Sequence, residues 1–165
     1  MIARDNFFQS PAAAPGHPAR MPKLTPHLII VDCPRAIDFY KQALDARELS
    51  RYVDEKRGGH IVCAELAIGD QPFSIAEEHR AWQNDAPTSL GGSPVILHLE
   101  VDDVDARGAA LERAGATVVY AIADQFYGER CGRFRDPFGH LWVITMKIRA
   151  MTPAEIQAGV DAYEA

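Results

Sequence analysis

The sequence predicts an α+β fold in which paired βαβββ modules form a concave cleft. Three observations carry that reading. Residues 30–46, "IVDCPRAIDFYKQALDA", lie over residues 100–116, "EVDDVDARGAALERAGA", at a constant offset of about 70, the signature of an internal repeat. In each copy an apolar strand runs straight into an amphipathic helix. Behind each helix come short alternating runs separated by Gly, Pro and Asp, the pattern of consecutive antiparallel strands.

The elements follow in order. "TPHLIIVD" (25–32) reads as a strand. "PRAIDFYKQALDA" (34–46) reads as a helix: Pro34 suits its first turn, and Ile37, Tyr40 and Leu44 recur at helical spacing. "ELSRYVDE" (48–55) and "HIVCAELAIG" (60–69) read as a hairpin about "RGG", and "FSIAE" (73–77) as the strand that closes the first module. In the second module "VILHLEV" (95–101) is a strand and "DDVDARGAALERAGA" (102–116) a helix. An Asp cap starts that helix, Val104, Gly108 and Leu111 lie on one face, and Gly115 stops it. "TVVYAI" (117–122) is a strand, "ADQFYGERCG" (123–132) a turn or loop, and "HLWVITMKI" (140–148) the last long strand. "TPAEIQAGVDAYEA" (152–165) opens with a capping box, Thr152 with Glu155, and Pro153 at the first helical position.

These elements divide the chain into a flexible N-terminal arm (1–22), a first module (23–77), a mobile polar linker (78–94), a second module (95–150) and a C-terminal helix (151–165). The arm is Pro- and Ala-rich and too poor in patterned apolar residues to pack a core. Its Phe7 and Phe8 are candidates for docking on a partner subunit.

Composition narrows the function. The 165 residues carry 47% hydrophobic and 24% charged side chains and a formal charge of −6. That is ordinary globular usage, and it argues against nucleic acid, whose binders usually present a basic face. No apolar run approaches the ~20 residues of a membrane span, and the N-terminus has no secretory apolar region. Three irregularly spaced cysteines, Cys33, Cys63 and Cys131, form no zinc-type pairs and read as free thiols of a cytoplasmic protein.

"AIDFYKQAL" in the first half and "DPFGHLW" near the end of the second resemble the vicinal oxygen chelate superfamily, the glyoxalase/bleomycin-resistance/dioxygenase fold. "TPHLIIVDCPRAIDFYKQALDA", "DQFYGERCGRFRDPFGHLW" and "MTPAEI" together are similar to its PhnB-like branch. The resemblance covers residues 23–157 and implies a homodimer with a small-molecule cleft. Many relatives hold a divalent metal with His and Glu ligands, one from each cleft-lining strand, as a Lewis acid. Laid on this sequence, the last-strand glutamate position holds Val143 and its first-half counterpart Ser74. The first- and fifth-strand ligand positions fall near Thr25 and Ile96, with His27 and His98 one pleat along.

The candidates for catalysis are therefore His27, His98 and Glu100, as acid–base groups or as a sparse metal set. Glu100, in an otherwise apolar strand, needs a solvated wall or a partner such as Arg130. Ser74, Phe126, Tyr127, Arg130 and Val143 are the candidates for ligand binding, the middle three from a Gly-flexed loop suited to stack on and pair with a flat or anionic molecule. Trp142 alternates onto the helix-covered face, while Trp82 is free to cover the cleft or a dimer partner. No cofactor is assigned; a divalent metal stays open.

The expected function is binding of a small aromatic or drug-like molecule without the usual His/Glu metal site. The alternatives are a lyase, isomerase, thiol transferase or ring-opening oxygenase of the same superfamily, and a structural or regulatory subunit with a vestigial cleft.

Overall fold

The computed structural model describes residues 23–163. The expected arm at 1–22 lies outside them. The first module runs β1 (His27–Ile30), α1 (Cys33–Leu44), β2 (Arg47–Asp54), β3 (His60–Ile68) and β4 (Gln71–Glu77). A connecting segment carries a short 3-10 turn (Arg80–Trp82) and α2 (Pro87–Leu90). The second module runs β5 (Ile96–Glu100), α3 (Val104–Arg113), β6 (Thr117–Asp124), β7 (Glu129–Arg135) and β8 (Leu141–Lys147), and α4 (Pro153–Ala162) follows.

The two sheets repeat one topology. Their orders are β1-β4-β3-β2 and β5-β8-β7-β6. The first strand of each module pairs in parallel with the last, and the other pairs are antiparallel. The long crossover that a parallel pair demands is supplied by the helix and the hairpin between them. This is the α+β architecture that the repeat predicts.

Local chemistry explains the helices. The Asp32 carboxylate accepts from the Arg35 N–H at the start of α1, and Pro34 stands in its first turn. Asp103 does the same for Ala106 on α3. Thr152 and Glu155 form the expected capping box of α4. Ile37, Tyr40 and Leu44 on α1, and Val104, Gly108 and Leu111 on α3, are all buried, as their spacing requires.

One element was misread. Residues 123–132 are a hairpin rather than a loop: β6 continues to Asp124 and β7 begins at Glu129. In β7 the buried face is Gly132 and Phe134, and a Cβ at 132 would meet the Ile122 side chain at 2.7 Å. A buried glycine therefore stands where sequence patterning expects a large apolar residue. The 78–94 segment, expected as a mobile crossing, carries α2 and a bridge between His79 and Asn84.

The modules share one core. α1 and α3 pack against each other. Tyr40 of α1 meets Phe73 of β4 at 5.5 Å and Trp142 of β8 at 5.8 Å between ring centroids. At its centre is Asp136, only 3% exposed. One carboxylate oxygen accepts from the Phe138 and His140 backbone N–H groups, both at 2.9 Å. The other accepts from the Tyr40 hydroxyl at 2.8 Å and the Trp142 indole N–H at 3.0 Å. "RDPFGH" is thus a turn tied around a buried carboxylate. Gly139 completes it at φ 91°, where a Cβ would also stand 2.9 Å from Pro87. Two further ties cross the modules: the His140 imidazole Nε2–H donates to the Ile29 carbonyl at 3.1 Å, and Arg107 donates to the Ala43 carbonyl at 2.9 Å and pairs with Asp45.

A buried carboxylate with four donors leaves all four unsatisfied when it is lost. Asp136→Ala should cost about 3 kcal/mol or more of stability, and Tyr40→Phe, which removes one donor, about 1–2 kcal/mol. Urea unfolding of the variants checks both; equal and small losses would mean that the four bonds do not act together.

Candidate functional site

Helices cover one face of each sheet. The other face of the second sheet is an open concave cleft of about 700 Å³. Ile96 and His98 come from β5, Val143 from β8, Cys131 and Arg133 from β7, and Tyr120 from β6. Tyr127 from the β6–β7 turn and Tyr163 just beyond α4 close its rim. A second depression of about 520 Å³ runs between the modules, from Pro26 and Phe73 to Trp142, and Ile96 and His98 line both. The cleft thus continues into the seam between the repeats.

The register explains why these side chains meet. β5 and β8 pair so that His98 lies beside Val143, and β7 pairs with β8 so that Arg133 lies on the other side of Val143. Residues at alternate positions share a face, so Cys131 joins Arg133 while Gly132 and Phe134 turn toward the helix. The Tyr127 hydroxyl and the Cys131 thiol share a hydrogen bond at 3.3 Å. Burial, reinforced by that bond, pushes the Tyr127 phenol up to about 12. It enters the cleft as a neutral phenol.

The first sheet repeats the register with different chemistry. His27 lies beside Ser74, and their side chains share a hydrogen bond at 2.7 Å. Partial burial lowers the His27 pKa below the ordinary 6.5. His27 lines a separate depression of about 270 Å³ with Leu90 and His140. The pairs His27–Ser74 and His98–Val143 are therefore structural equivalents on two sheets, and the two imidazoles open into different cavities.

The remaining candidates divide. Glu100 accepts from Lys147 at 3.3 Å, and Arg130 is committed elsewhere. Arg130 turns to the helix side, where it pairs with Asp105 at 2.8 Å and Asp124 at 2.9 Å. Phe126 sits under α4, against Tyr163 at 5.6 Å, and the space of a Cβ on Gly159 is filled by its ring. Ser74 faces His27 on the first sheet, whereas Tyr127 and Val143 line the cleft. Trp142 is core. Trp82 stacks on His79 at 4.2 Å beneath Arg57, in a depression lined by β3 and the 3-10 turn. Tyr120, Cys131, Arg133 and Tyr163 are among the cleft residues that sequence reasoning did not assign. For Cys131 and Arg133 the signal that would have found them is the parity of β7, which is readable only once 129–135 is taken as a strand.

The described residues alone do not offer the donor set of a metal centre. Among the described residues no three His, Cys, Asp or Glu side chains converge on one point. The carboxylate positions beside the two histidines hold Ser74 and Val143, and metal sites normally need three protein ligands.

Paired βαβββ modules with an open cleft on the sheet face define a class of proteins that hold small molecules between repeats. Residues 17–144 match the Glyoxalase/Bleomycin resistance protein/Dioxygenase superfamily, and the chain belongs to that family. It is 41% identical over 144 residues to the uncharacterized protein Mb0911c of Mycobacterium bovis, covering 86% of this chain and 93% of that one. The uncharacterized protein Rv0887c of Mycobacterium tuberculosis is equally similar, over 84% of its length. Among solved structures, TioX from Micromonospora sp. ML1 superposes with a TM-score of 0.58 at 27% identity, covering 79% of this chain and 100% of that one. The fosfomycin resistance protein FosX from Listeria monocytogenes, complexed with Mn(II) and sulfate, shares the fold at 16% identity and a TM-score of 0.61, over 84% and 99% of the two chains. Among the described residues no helix is long and apolar enough to cross a membrane.

Burial lowers the His140 pKa below 6.5, against the opposing pull of Asp136 and the Ile29 carbonyl. The unfolded chain therefore binds this proton more readily. Its contribution to stability is present above pH ~6.5 and is lost as pH falls from there through the lower folded value. Wild type should lose more thermal stability between about pH 7.5 and about pH 5 than His140→Gln, which removes the titrating group. Equal losses in a thermal melt would contradict this placement of His140.

Proposed function

We propose that this protein binds a small aromatic, drug-like molecule in the cleft of the second sheet. The observation that carries this reading is the cleft itself: about 700 Å³, open, walled by Tyr120, Tyr127 and Tyr163, and floored by Ile96 and Val143. That volume suits a drug-sized ligand, and phenol rings around an apolar floor favour a flat one. His98 and the Tyr127 hydroxyl supply the polar contacts that orient it. Val143, at the position where metal-using relatives place a carboxylate, supports binding without a His/Glu metal centre. The resemblance to the PhnB-like branch and the family's bleomycin-resistance members supports sequestration in the cytoplasm. Exposed apolar side chains on the outer strands of both sheets, Leu49 and Tyr52 of β2, Val118 and Tyr120 of β6, support a homodimer.

A second reading is catalytic, and the placement of His98 favours it. The imidazole stands in the cleft beside apolar Val143, a position suited to a general base in a lyase or isomerase. Glu100, held by Lys147, would then act only through the charge of that pair. A divalent metal belongs to this reading only if a further ligand comes from outside the described residues.

Filling the cleft separates binding there from binding elsewhere. In a thermal-shift screen with bicyclic aromatic compounds, Val143→Trp should abolish the stabilisation that wild type shows. Stabilisation that survives the substitution would place the ligand away from this cleft. His98→Ala should weaken binding by only several-fold if the protein sequesters its ligand, about 1 kcal/mol for one hydrogen bond. Loss of a measurable turnover, with the ligand still bound, would establish the catalytic reading instead.

A further inference from the structure

We infer that the ligand of this cleft is an aromatic anion and that Arg133 is its anchor, an inference that rests on the cleft-binding reading above. The cleft has an unusual charge balance for a chain of net charge −6. Among the described residues no Asp or Glu lines it, and Arg133 is its one lysine or arginine. Of the other basic groups of this module, Arg130 pairs with Asp105 and Asp124, Lys147 with Glu100 and Arg107 with Asp45; Arg113, Arg135 and Arg149 do not line the cleft. None of these carboxylates reaches Arg133. Glu129, four residues away on the same face of β7, takes the Thr145 hydroxyl at 2.7 Å.

The guanidinium is also short of acceptors. Its carbon lies 5.0 Å from the centroid of the Tyr120 ring. Its Nε–H is buried and has no hydrogen-bond partner among the described residues. Buried donors without acceptors are uncommon in folded proteins, and each asks for an explanation. An arginine stacked on an aromatic ring keeps its fork of N–H groups in one plane, suited to a carboxylate or sulfonate in the same plane. Cation–ring contact holds that plane in place. The ligand completes the arrangement: its ring lies among Tyr120, Tyr127 and Tyr163, and its anionic group meets Arg133. Val143, between His98 and Arg133 in the sheet, lies under the ring and offers no competing charge.

The test compares a matched pair of probes, naphthalene carboxylate and its neutral carboxamide, by calorimetry on wild type, Arg133→Gln, Arg133→Lys and Val143→Trp. Wild type should bind the carboxylate roughly tenfold more tightly than the carboxamide, the scale of a charge-assisted pair. Arg133→Gln should remove that preference, so that its affinities for the two probes fall within about twofold of each other, while Arg133→Lys keeps part of it. A folded Arg133→Gln protein that still prefers the carboxylate overturns the anchor. If that variant does not fold, the wild-type comparison decides alone, and equal affinity for the two probes overturns the inference. Val143→Trp tells the two failures apart. Binding that it abolishes, with no anion preference in wild type, keeps the cleft and removes Arg133. Binding that it leaves intact removes the cleft reading and the anchor together, as does a wild type that binds neither probe.

Discussion

Everything in this fold leans on the buried carboxylate of Asp136. It gathers four donors from three places: the turn at 138–140, the indole of Trp142 on β8, and the phenol of Tyr40 on α1 of the other module. Burying a carboxylate is costly unless its lone pairs are taken up, and here all four donors converge on it. The same residues carry the largest aromatic contacts of the core, Tyr40 with Phe73 and Trp142 and Phe39 with Phe138 at 5.8 Å. Polar satisfaction and apolar packing are therefore met by one set of side chains, and they fix how the two repeats sit together.

That arrangement divides labour between the two faces of each sheet. The helix side is closed, packed and satisfied. The other side of the second sheet is left open, and the β8 register that Trp142 helps to pin presents Val143 between His98 and Arg133. On this face the repeats have diverged. Where the first sheet sets His27 against Ser74, the second sets His98 against an apolar residue. Two imidazoles stand at equivalent positions of the two repeats, and the pocket around one of them is lined by phenols and a guanidinium.

The fold was largely legible in the sequence, and the site only in part. The capped helices, the internal repeat and the burial of Trp142 follow from periodicity, because apolar faces must be covered. β7 escaped because "ERCGRFR" buries Gly132 rather than a large side chain, so its inner face carries half the usual signal. That omission also hid the parity of its arginines. Without a strand, nothing distinguishes Arg130, which binds acids on the helix side, from Arg133, which enters the cleft. Glu100 was expected on a solvated wall or beside a partner such as Arg130; it is exposed and meets Lys147, two residues beyond its own pair on β8. Partners of exposed charges are set by tertiary placement, which local patterning does not encode.

The central claim is that function resides on the open face of the second sheet while the Asp136 side holds the fold. Backbone chemical-shift mapping with a neutral bicyclic aromatic, naphthol, tests it most directly. The account predicts shifts concentrated at His98, Tyr120, Cys131, Arg133 and Val143, with Asp136 and Tyr40 unmoved. Shifts concentrated instead around His27, Ser74 and Cys63 on the first sheet would contradict it.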